Sequence, residues 1–151
     1  LICLLRLAKM GLEAEIVNLG TSDIICFAYD YSWRIQVKSS HIKENGGNSP
    51  SPGYQFCVCK GGRDKRPLAT TDCDIVALVA IPQERVLFAP VSTFNGVKTK
   101  RLKAHDFMHP ILEWDTWSEC MEDFDINPPR PNYPQAPDPL CWVPEAEHSS
   151  P

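Results

Sequence analysis

Asp23, Gln36 and Lys38 are the residues of this 151-residue chain whose types and spacing could do chemistry. Asp23 opens an apolar run, Ile24 to Tyr29, while Gln36 and Lys38 alternate with Ile35 and Val37 in a second run, Trp33 to Lys38. The polar break from Asp30 to Ser32 makes the two runs a β-hairpin. A two-residue turn at Asp30 and Tyr31 sets Tyr29 opposite Ser32, Ile25 opposite Gln36 and Asp23 opposite Lys38. In that register Ile24, Cys26, Ala28, Trp33, Ile35 and Val37 form an apolar face. Asp23, Arg34, Gln36 and Lys38 share the other face with Ile25, Phe27 and Tyr29. An acid, an amide and an amine thus meet at the open end of one hairpin. Carboxylate and amide oxygens suit a hard divalent cation, and an ammonium suits developing negative charge. The plainer reading is an exposed cross-strand Asp–Lys pair, worth about 0.5 kcal/mol.

An Asp opening one strand, followed by Ile35-Gln36-Val37-Lys38, resembles the PD-(D/E)XK nuclease superfamily. The branch it is similar to has glutamine in place of the second acid and includes group I intron homing endonucleases. The resemblance runs loosely from Leu4 to Trp117. It implies an α/β, restriction-endonuclease-like core with a mixed central β-sheet flanked by helices, and a metal-dependent endonuclease that hydrolyses phosphodiester bonds in DNA. On that resemblance Mg²⁺ or Mn²⁺ takes a carboxylate oxygen from Asp23, the side-chain carbonyl oxygen of Gln36 and the backbone carbonyl of Val37. Lys38 then orients the attacking water or stabilises the developing charge. Two features depart from the family. Gln36 lowers the negative charge of the site and so its metal affinity, and the Glu usual on the first helix is missing from Leu1 to Met10, since Glu13 and Glu15 lie past it. The alternative is a non-catalytic DNA-binding or assembly module that keeps the fold. Cutting both strands of a duplex with one site per chain implies a homodimer or higher assembly.

Charge is distributed unevenly. The net charge is −4, yet residues 1–110 hold 14 Lys and Arg against 10 Asp and Glu, while residues 111–151 hold 1 against 9. The basic part offers two clusters for phosphate contact, Arg63, Lys65 and Arg66, then Lys98, Lys100, Arg101 and Lys103, with Arg34 beside the hairpin site. The acidic part ends in a stretch where 8 of the 25 residues from Asn127 onward are proline, which excludes helix and inner strand. The organisation expected is a nuclease-like domain over 1–125 and a proline-rich acidic tail over 126–151, pinned by Tyr133, Leu140 and Trp142. Truncation of the tail should strengthen non-specific DNA binding.

No run reaches the roughly 18–20 apolar residues that span a bilayer. Seven cysteines, most of them in apolar runs, read as free thiols of a cytoplasmic protein rather than as a secreted disulfide framework. The pairs Cys57/Cys59 and His105/His109 have poor spacing for zinc. The chain starts inside an apolar helical pattern with no capping residue, so the sequence reads as lacking its natural start.

The elements that must position the hairpin follow from pattern. Leu1, Leu4, Leu5, Ala8 and Leu12 form an amphipathic stripe for a helix over Leu1–Met10, with Gly11 as its stop. Strands are expected at Glu13–Asn18, Tyr54–Lys60, Cys73–Ile81 and Arg85–Val91, the third apolar throughout and so buried on both faces. Gly20 to Ser22 turns the chain into Asp23. Ser39–Gly53 and Gly61–Thr71 are loops. A last helix, Ile111–Met121, spaces Trp114, Trp117 and Cys120 on one face.

Overall fold

The computed structural model describes residues 1–19, 22–41, 53–61 and 63–129. Its centre is a five-stranded sheet of β1 (Glu13–Leu19), β2 (Ser22–Ala28), β3 (Tyr31–Ser40), β7 (Ile75–Ala80) and β8 (Arg85–Pro90), in that spatial order. Every pairing is antiparallel except β3 with β7, so the sheet is mixed. A parallel neighbour needs a long crossover, and residues 41–74 supply it. That crossover carries β4 (Gly53–Cys57), β5 (Cys59–Lys60) and β6 (Arg66–Pro67). After β8 the chain returns through β9 (Thr99–Lys103), which pairs antiparallel with β4.

Three layers result. Both helices, α1 (Ile2–Lys9) and α2 (Leu112–Asp123), pack on one face of the sheet against Ile24, Cys26, Trp33, Ile35, Ala77 and Phe88. The β4–β9 ribbon lies on the other face, where Tyr54, Phe56 and Phe107 meet Val76, Leu78 and Ala89 of β7 and β8, and β4 also comes against β3. β7 lies between both layers and every one of its residues is buried, as its unbroken apolar sequence requires. The helices therefore share one face of the sheet, and the expected flanking on the second face falls to the ribbon.

The expected helices and sheet strands form, but Tyr54–Lys60 divides into β4 and β5 of separate sheets, Arg66–Pro67 within the expected loop pairs with β5, and Thr99–Lys103 is a strand. Two further differences bear on the site. α1 forms, but Leu1, Leu5 and Ala8 are exposed, while Cys3, Arg6, Leu7 and Met10 face the core. The rotation is set by Arg6, whose guanidinium donates to the Glu84 carbonyl at 2.9 and 3.0 Å and stands 3.6 Å from Glu113. A buried charge has to keep its partners, and here that need outweighs burial of the leucine stripe. Glu113 in turn takes Arg85 at 2.9 Å and the Val86 N–H at 2.9 Å, tying α1, α2 and β8 together.

The second difference is the hairpin turn. Tyr29 and Asp30, not Asp30 and Tyr31, hold it, with φ of 56° and 65°, so Ala28 pairs with Tyr31 and Ile25 with Arg34. A left-handed tyrosine is unusual, and two bonds fix it: the Trp117 indole donates to the Tyr29 hydroxyl at 3.2 Å, and the Trp33 indole donates to the Ala28 carbonyl at 3.1 Å. The shift moves each pairing by two residues. Alternation is therefore preserved within β2 and β3, whose residues keep the faces assigned to them, whereas Tyr29, now in the turn, packs on the helix side rather than on the Asp23 face. Asp23, however, comes to stand beside Gln36 rather than Lys38.

Among the described residues no helix is long and apolar enough to cross a membrane. The six described cysteines are free. Burial pushes the thiols of Cys3 and Cys26 up to about 12 and that of Cys73 up to about 11, as expected of packing residues rather than nucleophiles. The turn at residues 20–21, most of the loop before Gly53, and the tail from residue 130, with Tyr133, Leu140 and Trp142, lie outside the described residues.

Candidate active site on the hairpin face

The apolar cluster under the ribbon includes no residue of β2 or β3, so on that face their side chains stand beside it. These are Asp23, Ile25, Arg34, Gln36 and Lys38, all partly buried. β2 and β3 pair only as far as Ile24 with Ile35. Beyond that point the Asp23 carboxylate replaces the ladder: its Oδ2 accepts the Val37 N–H at 2.9 Å and the Gln36 amide Nε2–H at 2.9 Å. A strand residue directs its N–H and C=O to the same edge, so the Val37 carbonyl also points to this side.

The amide orientation of Gln36 has a consequence. A carboxylate only accepts, so the nitrogen of Gln36 has to face Asp23. Its Oε1 is then buried with no hydrogen-bond partner among the described residues. Asp23 Oδ1 likewise accepts no bond from another described residue. Two oxygens of adjacent side chains thus have unused lone pairs, and one of them is inaccessible to bulk water. Orphaned buried acceptors are rare because each costs about 1–3 kcal/mol.

Lys38 lies on the same face, two residues along β3. Its Nζ donates to the Cys59 carbonyl at 3.0 Å, which leaves two of its three N–H groups without a described partner. Cys59 is itself fixed, its thiol reaching the Lys98 carbonyl at 3.2 Å, and the Val58 N–H donates to the same carbonyl at 3.0 Å. The crossover, tied down at the Lys98 carbonyl just before β9, therefore holds the lysine in place.

The other residues singled out from the sequence divide into two groups. Arg34 is committed to its own fold: its guanidinium bonds Asp74 at 3.1 and 3.3 Å and the carbonyls of Thr70 and Thr71. Arg66 grips Asp72 with two bonds of 2.7 and 2.8 Å. That pairing, joined by the Ala69 N–H, holds the Asp72 carboxyl well below the usual carboxylate range. Arg63, Lys65, Lys98 and Arg101 are exposed and Lys100 is half-buried, all on or around the ribbon. Asp72 and Asp74 were not singled out from the sequence, and Cys59 was weighed only as a zinc ligand, not as the carbonyl that holds Lys38. The available signal was an Asp at the mouth of an apolar strand, which Asp74 repeats from Asp23.

Among the described residues no three His, Cys, Asp or Glu side chains converge for a metal. Cys57 and Cys59 gather no third ligand. His109 instead accepts the Ile111 N–H through Nδ1 at 3.2 Å and faces Asp115 at 3.4 Å. Glu15 shares the Asp23 face but stands opposite Ile25.

The fold has a solved counterpart. The chain is similar to a bacterial homing endonuclease, I-Ssp6803I, with 17% identity, a TM-score of 0.61, and coverage of 82% of this chain and 88% of that one. The likeness is one of fold. No family model matches the chain, and no curated protein matches its sequence. The α/β class and the mixed central sheet implied by the resemblance are present, in a fold like that of the homing endonuclease.

Proposed function

We propose that the protein is a metal-dependent DNA endonuclease of the PD-(D/E)XK type, with Asp23, Gln36 and Lys38 as its active-site residues. The observation that carries the reading is the buried, unpartnered Gln36 Oε1 beside Asp23. An acid, an amide oxygen and a strand carbonyl form an all-oxygen donor set of the kind Mg²⁺ or Mn²⁺ prefers. Asp23, Gln36 and the Val37 carbonyl would hold the ion, which when bound supplies charge neutralisation at the phosphate and an acidified water. Lys38 keeps two free donors for a water or a phosphate oxygen, and its bond to Cys59 restricts where they point. Arg63, Lys65, Lys98, Lys100 and Arg101 meet the DNA. Arg34 and Arg66 shape the loops that carry it.

A second reading is a DNA-binding module that has the fold without the cutting, and one observation favours it: α1 carries no acidic residue. Plasmid nicking in Mg²⁺ or Mn²⁺ decides between them. The expected result is nicking by the wild type, and its loss in Asp23→Ala and in Lys38→Ala at unchanged secondary structure. Equal nicking by all three proteins would mean that the hairpin is not the active site. Binding without nicking by the wild type supports the module.

A further inference from the structure

Of the six described arginines, four have guanidinium groups engaged by the protein: Arg6, Arg34, Arg66 and Arg85. Arg63 and Arg101 contact no described carboxylate or carbonyl. Arg63 sits in a bend, whereas Arg101 projects from the middle of β9, on the outward face of the ribbon. Directly across from it, in register, is Gln55, also exposed and without a described partner.

Neighbours on the same face make this pair prominent. One position along the ribbon, Gly53 pairs with Lys103; on the other side, Cys57 pairs with Thr99. Three of those four side chains are absent or short. Gln55 and Arg101 therefore stand above the ribbon surface, with Lys103 as a flanking cation. Beneath them Tyr54 and Phe56 are 1% and 0% exposed and stack with Phe107 at centroid separations of 5.2 and 6.1 Å. The Tyr54 hydroxyl donates to Gln83 at 2.6 Å. This packing seats the ribbon, and the pair it carries, on the sheet that also bears Asp23 and Lys38.

Since the ribbon lies on the same side of the sheet as Asp23 and Lys38, its outer face and the candidate active site point the same way. A two-stranded antiparallel ribbon fits the major groove, which is about 12 Å wide. An Arg fork matches the O6 and N7 acceptors of guanine, and a Gln amide matches the N6 donor and N7 acceptor of adenine. Cβ atoms directly opposite on paired strands are about 4.5–5.5 Å apart, against a base-pair rise of about 3.4 Å.

We infer that the outer face of the β4–β9 ribbon reads the DNA major groove, with Arg101 specifying a guanine and Gln55 an adenine one or two base-pair steps away. This rests on the DNA-binding part of the reading above and extends it from phosphate contact to sequence recognition. The cation Lys103, and Lys98 beside the ribbon, supply the phosphate contacts that set register without choosing a base.

The experiment selects bound duplexes from a randomised library and sequences them, for the wild type and for Arg101→Ala, Gln55→Ala and Lys103→Ala. Melting temperatures confirm that each variant is folded. The wild type is expected to enrich a guanine and an adenine within two steps, by about tenfold or more at each position. Arg101→Ala should lose the guanine alone and Gln55→Ala the adenine alone. Lys103→Ala removes the same charge as Arg101→Ala, and should weaken binding to all sequences while keeping both preferences. Unchanged preferences in Arg101→Ala and Gln55→Ala, or a wild type that enriches no base, would overturn the inference. Nicking of the library in Mg²⁺ separates the two claims. A wild type that selects these bases but never nicks supports the recognition and removes the cutting. One that nicks every sequence alike does the reverse.

Discussion

Changing Gln36→Glu tests the candidate site more closely than deleting it, because the side chains are nearly the same size. In the wild type the Gln36 Nε2–H is 2.9 Å from Asp23 Oδ2. The substitution puts a second carboxylate oxygen there and removes a charge-assisted hydrogen bond. Two unit charges at that separation repel by about 1.4 kcal/mol at the dielectric of water and about 6 at an effective dielectric of 20. Both residues are half-buried and partly screened, so about 2 kcal/mol is the reasonable figure. With the lost hydrogen bond the variant should be less stable than the wild type by about 3 kcal/mol at pH 8, a fall in Tm of about 10 °C.

The sign of the pH dependence follows from the pairing of two acids. They share a proton, so the folded pair's upper pKa is raised above the unfolded carboxylate value. A raised acid pKa makes stability fall as pH rises through it. The variant should thus approach the wild type near pH 5 and diverge above it. Mg²⁺ should reverse the loss: at 100 times its Kd a ligand of the folded state stabilises by about 2.7 kcal/mol. Calorimetry in EDTA and in Mg²⁺, at pH 5 and pH 8, measures all of this. If the variant and the wild type melt together in EDTA at pH 8, Asp23 and Gln36 are not in contact. If Mg²⁺ shifts both proteins equally, it does not bind here.

Two other outcomes follow from the ion pairs. Glu113→Gln leaves Arg85 and Arg6 with a neutral partner inside the core, and should lower the unfolding free energy by about 3–5 kcal/mol in urea titration; a loss under 1 kcal/mol would mean that water reaches the network. Asp72→Asn removes the carboxylate gripped by Arg66. Because that carboxyl titrates below its unfolded value, its stabilising effect is present above about pH 4 and disappears as pH falls further. The variant should melt below the wild type at pH 7 and converge with it in acid, and a Tm difference independent of pH would contradict the pairing.

Most elements were legible because their burial patterns are local. β7 declared itself by an unbroken apolar run, and the β2 and β3 faces by strict alternation, which even a misplaced turn could not disturb. The turn was missed because its tyrosine is held left-handed by Trp117, a residue 88 positions away, and no local propensity encodes such a bond. The stripe on α1 misled for a similar reason: a buried arginine, held by the Glu84 carbonyl ahead of β8 and by Glu113 of α2, outranked Leu1, Leu5 and Ala8. At the site, Asp23, Gln36 and Lys38 were visible as types at a spacing, but the committed state of Arg34 was not. Its partners Thr70, Thr71 and Asp74 come from the far side of a crossover. The strand character of Thr99–Lys103 was hidden because alternating lysines resemble a solvated charge run until β4 is placed opposite them.

The ribbon's strands are separated in the chain by the whole β7–β8 hairpin, and this constrains how the molecule is made. During synthesis β4 emerges long before β9, so for a time it is a strand with an unpaired edge. Tyr54 and Phe56, which the finished protein buries completely, have no cover until Phe107 also arrives. A product that ends between Asn95 and Thr99 would have most of its sheet strands and neither the closing strand nor α2. Such a fragment presents a bare hydrophobic edge and invites aggregation, while the complete chain closes that edge with its own basic strand. β9 is thus the strand on which solubility of the newly made chain depends.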